Sequence, residues 1–322
     1  MCYSTQVLQE YRKYIREFNV KIDIATYIER FWNRLDNDKI RIPKAMELAF
    51  CTQEDLADES TRPIREAIET WQARQTLRLE QELFKQRKRL ADARRTLLTK
   101  TTKAATEARR IASAKIDWTL NKLAVLRRTE LTDEDARIYP GSYAPVMVME
   151  NGQRVLKPMR YQCRPAGKPA SYDSQYPGTY NARRDNLEGF WRGQFGHSHG
   201  LMLISAFYEH VARPRPTTGE GQTGDEMEKV ILEFRPRPRE DMLVACLWSH
   251  WRGEGEPELD SFAAITDTPP PEVAAAGHDR CIIPIKPENI DAWLNPDPVR
   301  LSDLYAILDD RQRPYYEHRL AA

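Results

Sequence analysis

The chain has 322 residues, with 49 Lys/Arg against 48 Asp/Glu and 41% hydrophobic residues. That length supports one large or two ordinary domains with a proper core, and a net charge of +1 excludes choosing a partner from bulk charge. No run of about 18 apolar residues occurs and no charged-then-apolar leader follows Met1, so the reading is a soluble, cytoplasmic chain without a membrane partner.

From Val7 to Asn19, and again over Ile24–Leu35, apolar residues recur at steps of three and four, the signature of one helix face. A third helix is expected near Pro43, and Thr61 with Pro63 reads as the cap and first turn of a longer one. Between Ile64 and Tyr139 there is neither glycine nor proline. Leu90, Leu97, Ala104, Ile111, Trp118 and Val125 repeat every seven residues there, a seam for packing on another helix. A single helix over this stretch would run about 95 Å. A break near Thr99–Thr102 is therefore expected, giving a long-helix hairpin or a bundle. From Lys85 to Arg128 there are 14 Lys/Arg against Asp92, Glu107 and Asp117, a local balance of +11 that leaves −10 for the rest. Such a basic region suits DNA or another polyanion; the alternatives are a solvated helix whose charges face water, or one that packs on an acidic partner.

The texture changes near Leu131. Tyr139-Pro140-Gly141 is turn chemistry, and Val146–Met149 and Leu156–Tyr161, split by Asn151-Gly152, predict a β-hairpin with a type I′ turn. Leu201–Tyr208, Val230–Phe234, Leu243–Trp248 and Ser261–Thr266 are further runs of strand length. Arg213–Glu228 reads as a flexible loop, and Pro287–Asn295 and Leu301–Arg311 as short helices. The fold class is α+β: a β-rich core with peripheral helices and an inserted helical hairpin or bundle.

Chemistry concentrates at Cys2. Methionine removal favours small second residues, and a mature N-terminal cysteine carries a free amine (pKa near 8) beside a thiol (pKa near 8.5). Together they form a 1,2-aminothiol, which condenses with an aldehyde to an imine and then to a thiazolidine. The other cysteines, Cys51, Cys163, Cys246 and Cys281, form no CxxC pair, so neither a zinc site, another metal nor a disulfide framework is suggested, and no cofactor is expected.

Tyr180-Asn181-Ala182-Arg183, Phe207-Tyr208-Glu209-His210 and Gly277-His278-Asp279-Arg280 each follow or close one of the apolar runs. In joint order with the Met-Cys start, the Tyr139-Pro140-Gly141 turn, Lys157–Tyr161, Ala263–Thr266 and Cys281–Pro284, they make the sequence resemble the SOS-response-associated peptidase (SRAP) family. The resemblance covers residues 1–3 and roughly 131–300. It implies a core of strongly bent antiparallel sheets built from 1–4 plus 131–322, with 5–130 as an inserted helical region. It also implies covalent cross-linking to abasic sites in single-stranded DNA. By the same resemblance Cys2 is the covalent residue, Asn181 holds the sugar, Glu209 orients or deprotonates the α-amine, and His278 moves protons during ring opening and imine formation. Arg183, Arg280 and Arg160 are the implied DNA-binding arginines.

Departures from the family pattern are visible. Tyr3-Ser4 stands where Gly-Arg is usual, Gln162–Gly167 replaces a tryptophan-bearing stretch, and His210 replaces a Trp. Tyr172, Tyr176 or Tyr180 could substitute as a base-stacking platform. Two rival readings differ in class: an N-terminal-cysteine amidohydrolase or self-processing peptidase, and a non-catalytic interaction protein built on the helical region.

Overall fold

The computed structural model describes residues 4–214 and 227–321, so Cys2 and most of the expected loop at Arg213–Glu228 lie outside the described residues. The ends of that stretch are strand: Arg213 and Glu228 pair in register and form an ion pair at 3.0 Å.

The chain opens with β1 (Ser4–Val7), α1 (Tyr11–Phe18), β2 (Lys21–Ile22), α2 (Ile24–Asn33), α3 (Lys44–Leu48) and α4 (Gln53–Leu56). Val7 thus belongs to a strand, not to the first helix. It is antiparallel to the later β7, and that pairing takes up its backbone groups. Then come α5 (Arg62–Thr99) and α6 (Lys103–Arg127), with the break where the absence of glycine and proline left only length to argue for one. Pro63 sits in the first turn of α5 as expected, but Thr61 makes no side-chain cap. Its hydroxyl donates instead to the carbonyls of Asp55 and Asp58.

The remainder is β3 (Arg137–Ile138), β4 (Tyr143–Glu150), β5 (Gln153–Tyr161), α7 (Tyr172–Gln175), β6 (Asn181–Arg183), β7 (His199–Pro214), β8 (Met227–Arg237), β9 (Met242–Gly253), β10 (Glu256–Asp267), α8 (Pro271–Ala275), β11 (Cys281–Ile282), α9 (Ile290–Leu294), α10 (Leu301–Asp309) and β12 (Tyr315–Leu320). Asn151 and Gly152 have φ of 50 and 74, the two left-handed residues of a type I′ turn, and they hold β4 and β5 in direct register.

All twelve strands join one sheet. Within it β10, β5, β4, β7 and β9 pair in a ring, so the sheet closes on itself; the β10–β5 contact that completes the ring is parallel. Alternating side chains then face two cores. Val146, Val148, Met202, Val244, Phe262 and Ala264 meet in an inner cluster. Met147, Leu201, Leu203, Ala245, Ala263 and Ile265 face outward against the helices. Strands covered on both faces read as unbroken apolar runs, which is why these segments were visible in the sequence.

Packing divides the stretch 5–130 in two. Tyr11, Tyr14, Tyr27, Phe31, Phe50, Ile64 and Ile68 join the same outer cluster as the strands, and β1 lies between β7 and β3. Beyond Ile68, α5 packs mainly on α6. The seven-residue period holds in this hairpin: Gln86 and Ala93 of α5 and Ala105, Ala112, Thr119 and Leu123 of α6 are buried, so the buried row in α6 runs beside Ala104, Ile111 and Trp118 rather than through them. Small side chains let the helix axes approach, and the larger Trp118 and Val125 are left exposed. No described helix is long and apolar enough to cross a membrane.

Candidate active site

β7 carries a carboxylate where its pattern calls for an apolar residue. Phe207, Glu209 and Val211 share one strand face; Phe207 and Val211 enter the inner cluster, and Glu209 is fully buried beside them. A buried carboxylate needs a charged partner. Gly277, at φ +95, turns the chain out of α8 through a conformation that disfavours any side chain, and His278 follows it. Its Nε2 lies 3.0 Å from Glu209 Oε2 and its Nδ1 lies 2.8 Å from the Arg280 carbonyl oxygen. Burial pulls the His278 pKa down. The hydrogen bond and charge of Glu209, helped by the Arg280 carbonyl, outweigh that and hold it above its ordinary value.

Asn181 opens β6, is buried, and sits in parallel register with Ala264 of β10. β11, which follows His278, pairs with β10 at Thr266 and Asp267. Asn181 and the His278 connection therefore flank the same end of β10. Two residues beyond Asn181, Arg183 reaches Asp185 at 2.5 Å, and Arg280 approaches the same carboxylate at 3.5 Å. The structure thus brings two of the predicted arginines to one acid, whose pKa the Arg183 hydrogen bond holds low. Asp185 was not singled out in the sequence. Its only signal is the Arg-Arg-Asp run after Asn181-Ala182, which reads locally as a solvated turn.

Arg160 is engaged elsewhere. Its Nη1 lies 2.7 Å from Asp173 and its Nη2 donates to the Gln162 carbonyl, while Arg164 shares Asp173 and stacks 4.3 Å over the Trp251 ring. Among the candidate stacking residues, Tyr172 and Tyr180 are buried, the latter against Tyr161. Tyr176 is half exposed, and Phe190, with ring centroid 6.3 Å away, is the second exposed aromatic of this patch. Phe190 lies in a run with neither helix nor strand period, so sequence periodicity could not mark it.

The start of β1 is fixed by Arg137, also unmarked in the sequence. Its Nε donates to Ser4 Oγ at 3.0 Å, and its guanidinium lies 3.7 Å over the Tyr208 ring. Ser4 stands opposite Tyr208, the residue before Glu209. Burial pushes the thiols of Cys51 and Cys163 up to about 11 and about 12, and those of Cys246 and Cys281 further still. Cys163, Cys246 and Cys281 are buried, protonated thiols and poor nucleophiles, whereas Cys51 is exposed. Among the described residues no cluster of three His, Cys, Asp or Glu is placed to hold a metal ion.

The family described as SOS response associated peptidase (SRAP) matches residues 81–320. Similar solved structures include a protein from Bordetella bronchiseptica at 17% identity, covering 58% of this chain and 87% of that one with a TM-score of 0.44. A protein from Bacteroides thetaiotaomicron is similar at 12% identity, covering 58% and 78% of the two chains with a TM-score of 0.46. A phage-related protein from Bordetella bronchiseptica is 19% identical, covering 61% and 85% with a TM-score of 0.42. No curated protein matches the chain.

Proposed function

Since the chain belongs to the SOS response associated peptidase family, we propose that it captures abasic sites in single-stranded DNA by closing a thiazolidine on Cys2. The observation that carries this reading is the buried Glu209–His278 pair lying one strand neighbour from the start of β1. Cys2 precedes Ser4 by two residues, a covalent reach of about 7 Å. Of the other cysteines, Cys163, Cys246 and Cys281 are buried, while Cys51 is exposed but has its thiol pKa raised.

In this reading Met1 is removed, freeing the Cys2 amine. His278, charged through Glu209, donates a proton to the sugar ring oxygen as the ring opens to the C1′ aldehyde. Glu209 accepts a proton from the Cys2 ammonium, and the free amine adds to C1′. Loss of water gives the imine, and the thiol then adds across its C=N bond, sulfur to carbon and proton to nitrogen. Holding amine, thiol and aldehyde together makes capture effectively intramolecular. Asn181 binds the sugar, Arg183 and Arg280 bind flanking phosphates after leaving Asp185, and Tyr176 with Phe190 offers a stacking surface in place of the missing tryptophans. Arg160 takes no part in this reading, because its fork is committed to Asp173.

The test is intact mass after incubation with a single-stranded oligonucleotide carrying one abasic site. The mature protein gives an adduct of protein plus DNA minus one water, stable to heating. Cys2→Ala gives an imine that survives only after borohydride. A stable adduct from protein that retains Met1 would overturn the thiazolidine mechanism, since that form has the thiol but no cysteine amine.

A further inference from the structure

The hairpin of α5 and α6 takes no part in the chemistry above, and its charge distribution is uneven. Near its base the acids of α5 are answered: Glu80 pairs with Arg127 at 2.6 Å and Glu82 with Lys115 at 3.9 Å. Further along, Lys85, Arg87, Lys88, Arg89 and Arg94 are all exposed, and none forms an ion pair among the described residues. The acids in this part, Asp92 and Glu107, are taken by Arg95 and Arg110. Like charges three and four residues apart repel one another, so Lys85, Lys88 and Arg89 are retained on one face against their own electrostatics.

One face of the hairpin is also grooved. A cavity of about 800 Å³ bounded by Trp118 meets a second of about 510 Å³ at Lys85, and the second is lined by Lys88, Arg89, Ala105 and Ala108. The far half of this groove holds cations, small residues and Asp92, whose charge Arg95 answers, with no large apolar side chain. A protein helix docking there would find little area to bury. A phosphate chain would find cations, and Trp118, which is 55% exposed, presents an indole on which a base can stack.

We propose that this face binds the backbone of single-stranded DNA, with Lys85, Lys88 and Arg89 on phosphates and Trp118 stacked on a base. The contact is independent of covalent capture, because it needs no lesion and no aldehyde.

The experiment uses the full chain and a fluorescein-labelled, lesion-free oligothymidylate, with binding measured by anisotropy from low to moderate KCl. Wild type shows a log–log salt slope set by the phosphates neutralised. The triple variant Lys85→Ala, Lys88→Ala, Arg89→Ala reduces that slope by about 2, since each phosphate contact on a single strand contributes about 0.7. Its affinity falls at least tenfold at about 100 mM salt. Trp118→Leu weakens binding about fivefold or more with the slope unchanged, because stacking releases no counterion. Lys21→Ala, an exposed cation on β2 where it pairs with β5, leaves both readings alone, and far-UV circular dichroism checks that helicity is kept. An unchanged slope in the folded triple variant overturns the proposal and leaves the face to an acidic protein. Equal binding of duplex and single strand overturns the stacking role of Trp118. Cross-linking at an abasic site is read separately, so a failure of capture and a failure of the hairpin contact are distinguished.

Discussion

The closed sheet and the helical hairpin use the same residue chemistry under opposite solvation. In the sheet, Glu209 and His278 meet where water is excluded, and burial, which lowers the histidine pKa, is outweighed by Glu209 with the Arg280 carbonyl. In the hairpin, 14 Lys/Arg within Lys85–Arg128 stand mostly in water. There, charge is screened over about 10 Å at ordinary salt, and each pair is worth little. The two regions differ in packing as well. The ring of strands is filled from both sides by bulky side chains, whereas the hairpin rests on a narrow seam of Ala93, Ala105, Ala112, Thr119, Gln86 and Leu123. One region should therefore answer to pH and to cavities, the other to salt and to helix propensity.

The largest break of that contrast is Phe262→Ala. Phe262 is fully buried in the inner cluster with its ring centroid 5.2 Å from Tyr161. Its removal should cost about 3–5 kcal/mol and lower the midpoint of global denaturation. A loss under about 1 kcal/mol would mean that the ring of strands is not the seat of stability.

Acid should act through His199. It is buried between Gly196 and Trp293, and burial lowers its pKa to about 3. A histidine lowered this way stays neutral when folded while the unfolded chain takes up a proton. Its contribution is full above about pH 6.5 and is lost as pH falls toward 3. Over that window His199→Gln should flatten the stability–pH curve by up to about 1.4 kcal/mol per pH unit, measured by urea unfolding.

His278 has the opposite sign. Its pKa is raised in the folded state, so its contribution is full below about pH 6.5 and is lost as pH rises through the folded value. Glu209→Gln should move the His278 midpoint downward, read by NMR. It should also slow cross-linking most below the amine pKa near 8, with partial recovery above it. An unmoved midpoint would remove Glu209 as the cause of the shift.

The smallest effect belongs to the hairpin. Ala112→Gly, at the buried seam of α6, should cost about 1 kcal/mol. Hydrogen exchange should quicken in α5 and α6 beyond residue 70 while β7 and β10 stay protected. Loss of protection in the sheet would show that the two regions unfold as one.

Much of this was legible from residue order alone. The apolar runs at Leu201–Tyr208, Leu243–Trp248 and Ser261–Thr266 announced buried strands because both faces of the sheet are covered. Asn151-Gly152 announced its turn because few other pairs tolerate two left-handed residues. The break at the hairpin tip followed from helix length, and its seven-residue period from the need to bury a stripe. Glu209 and His278 could be named only through the family resemblance, since a carboxylate closing an apolar run and a histidine in a turn are each ambiguous by themselves.

What only the tertiary structure decided is non-local. Sequence could not show that Glu209 and His278, 69 residues apart in number, meet at 3.0 Å, or that Asp185 gathers Arg183 and Arg280 while Arg160 turns to Asp173. Nor could it show that residues 11–68 belong to the sheet's own core and only the distal hairpin stands apart. Periodicity records which face of an element is buried. The partner that buries it is chosen by chain crossing and register, and no local pattern of residue types carries that information.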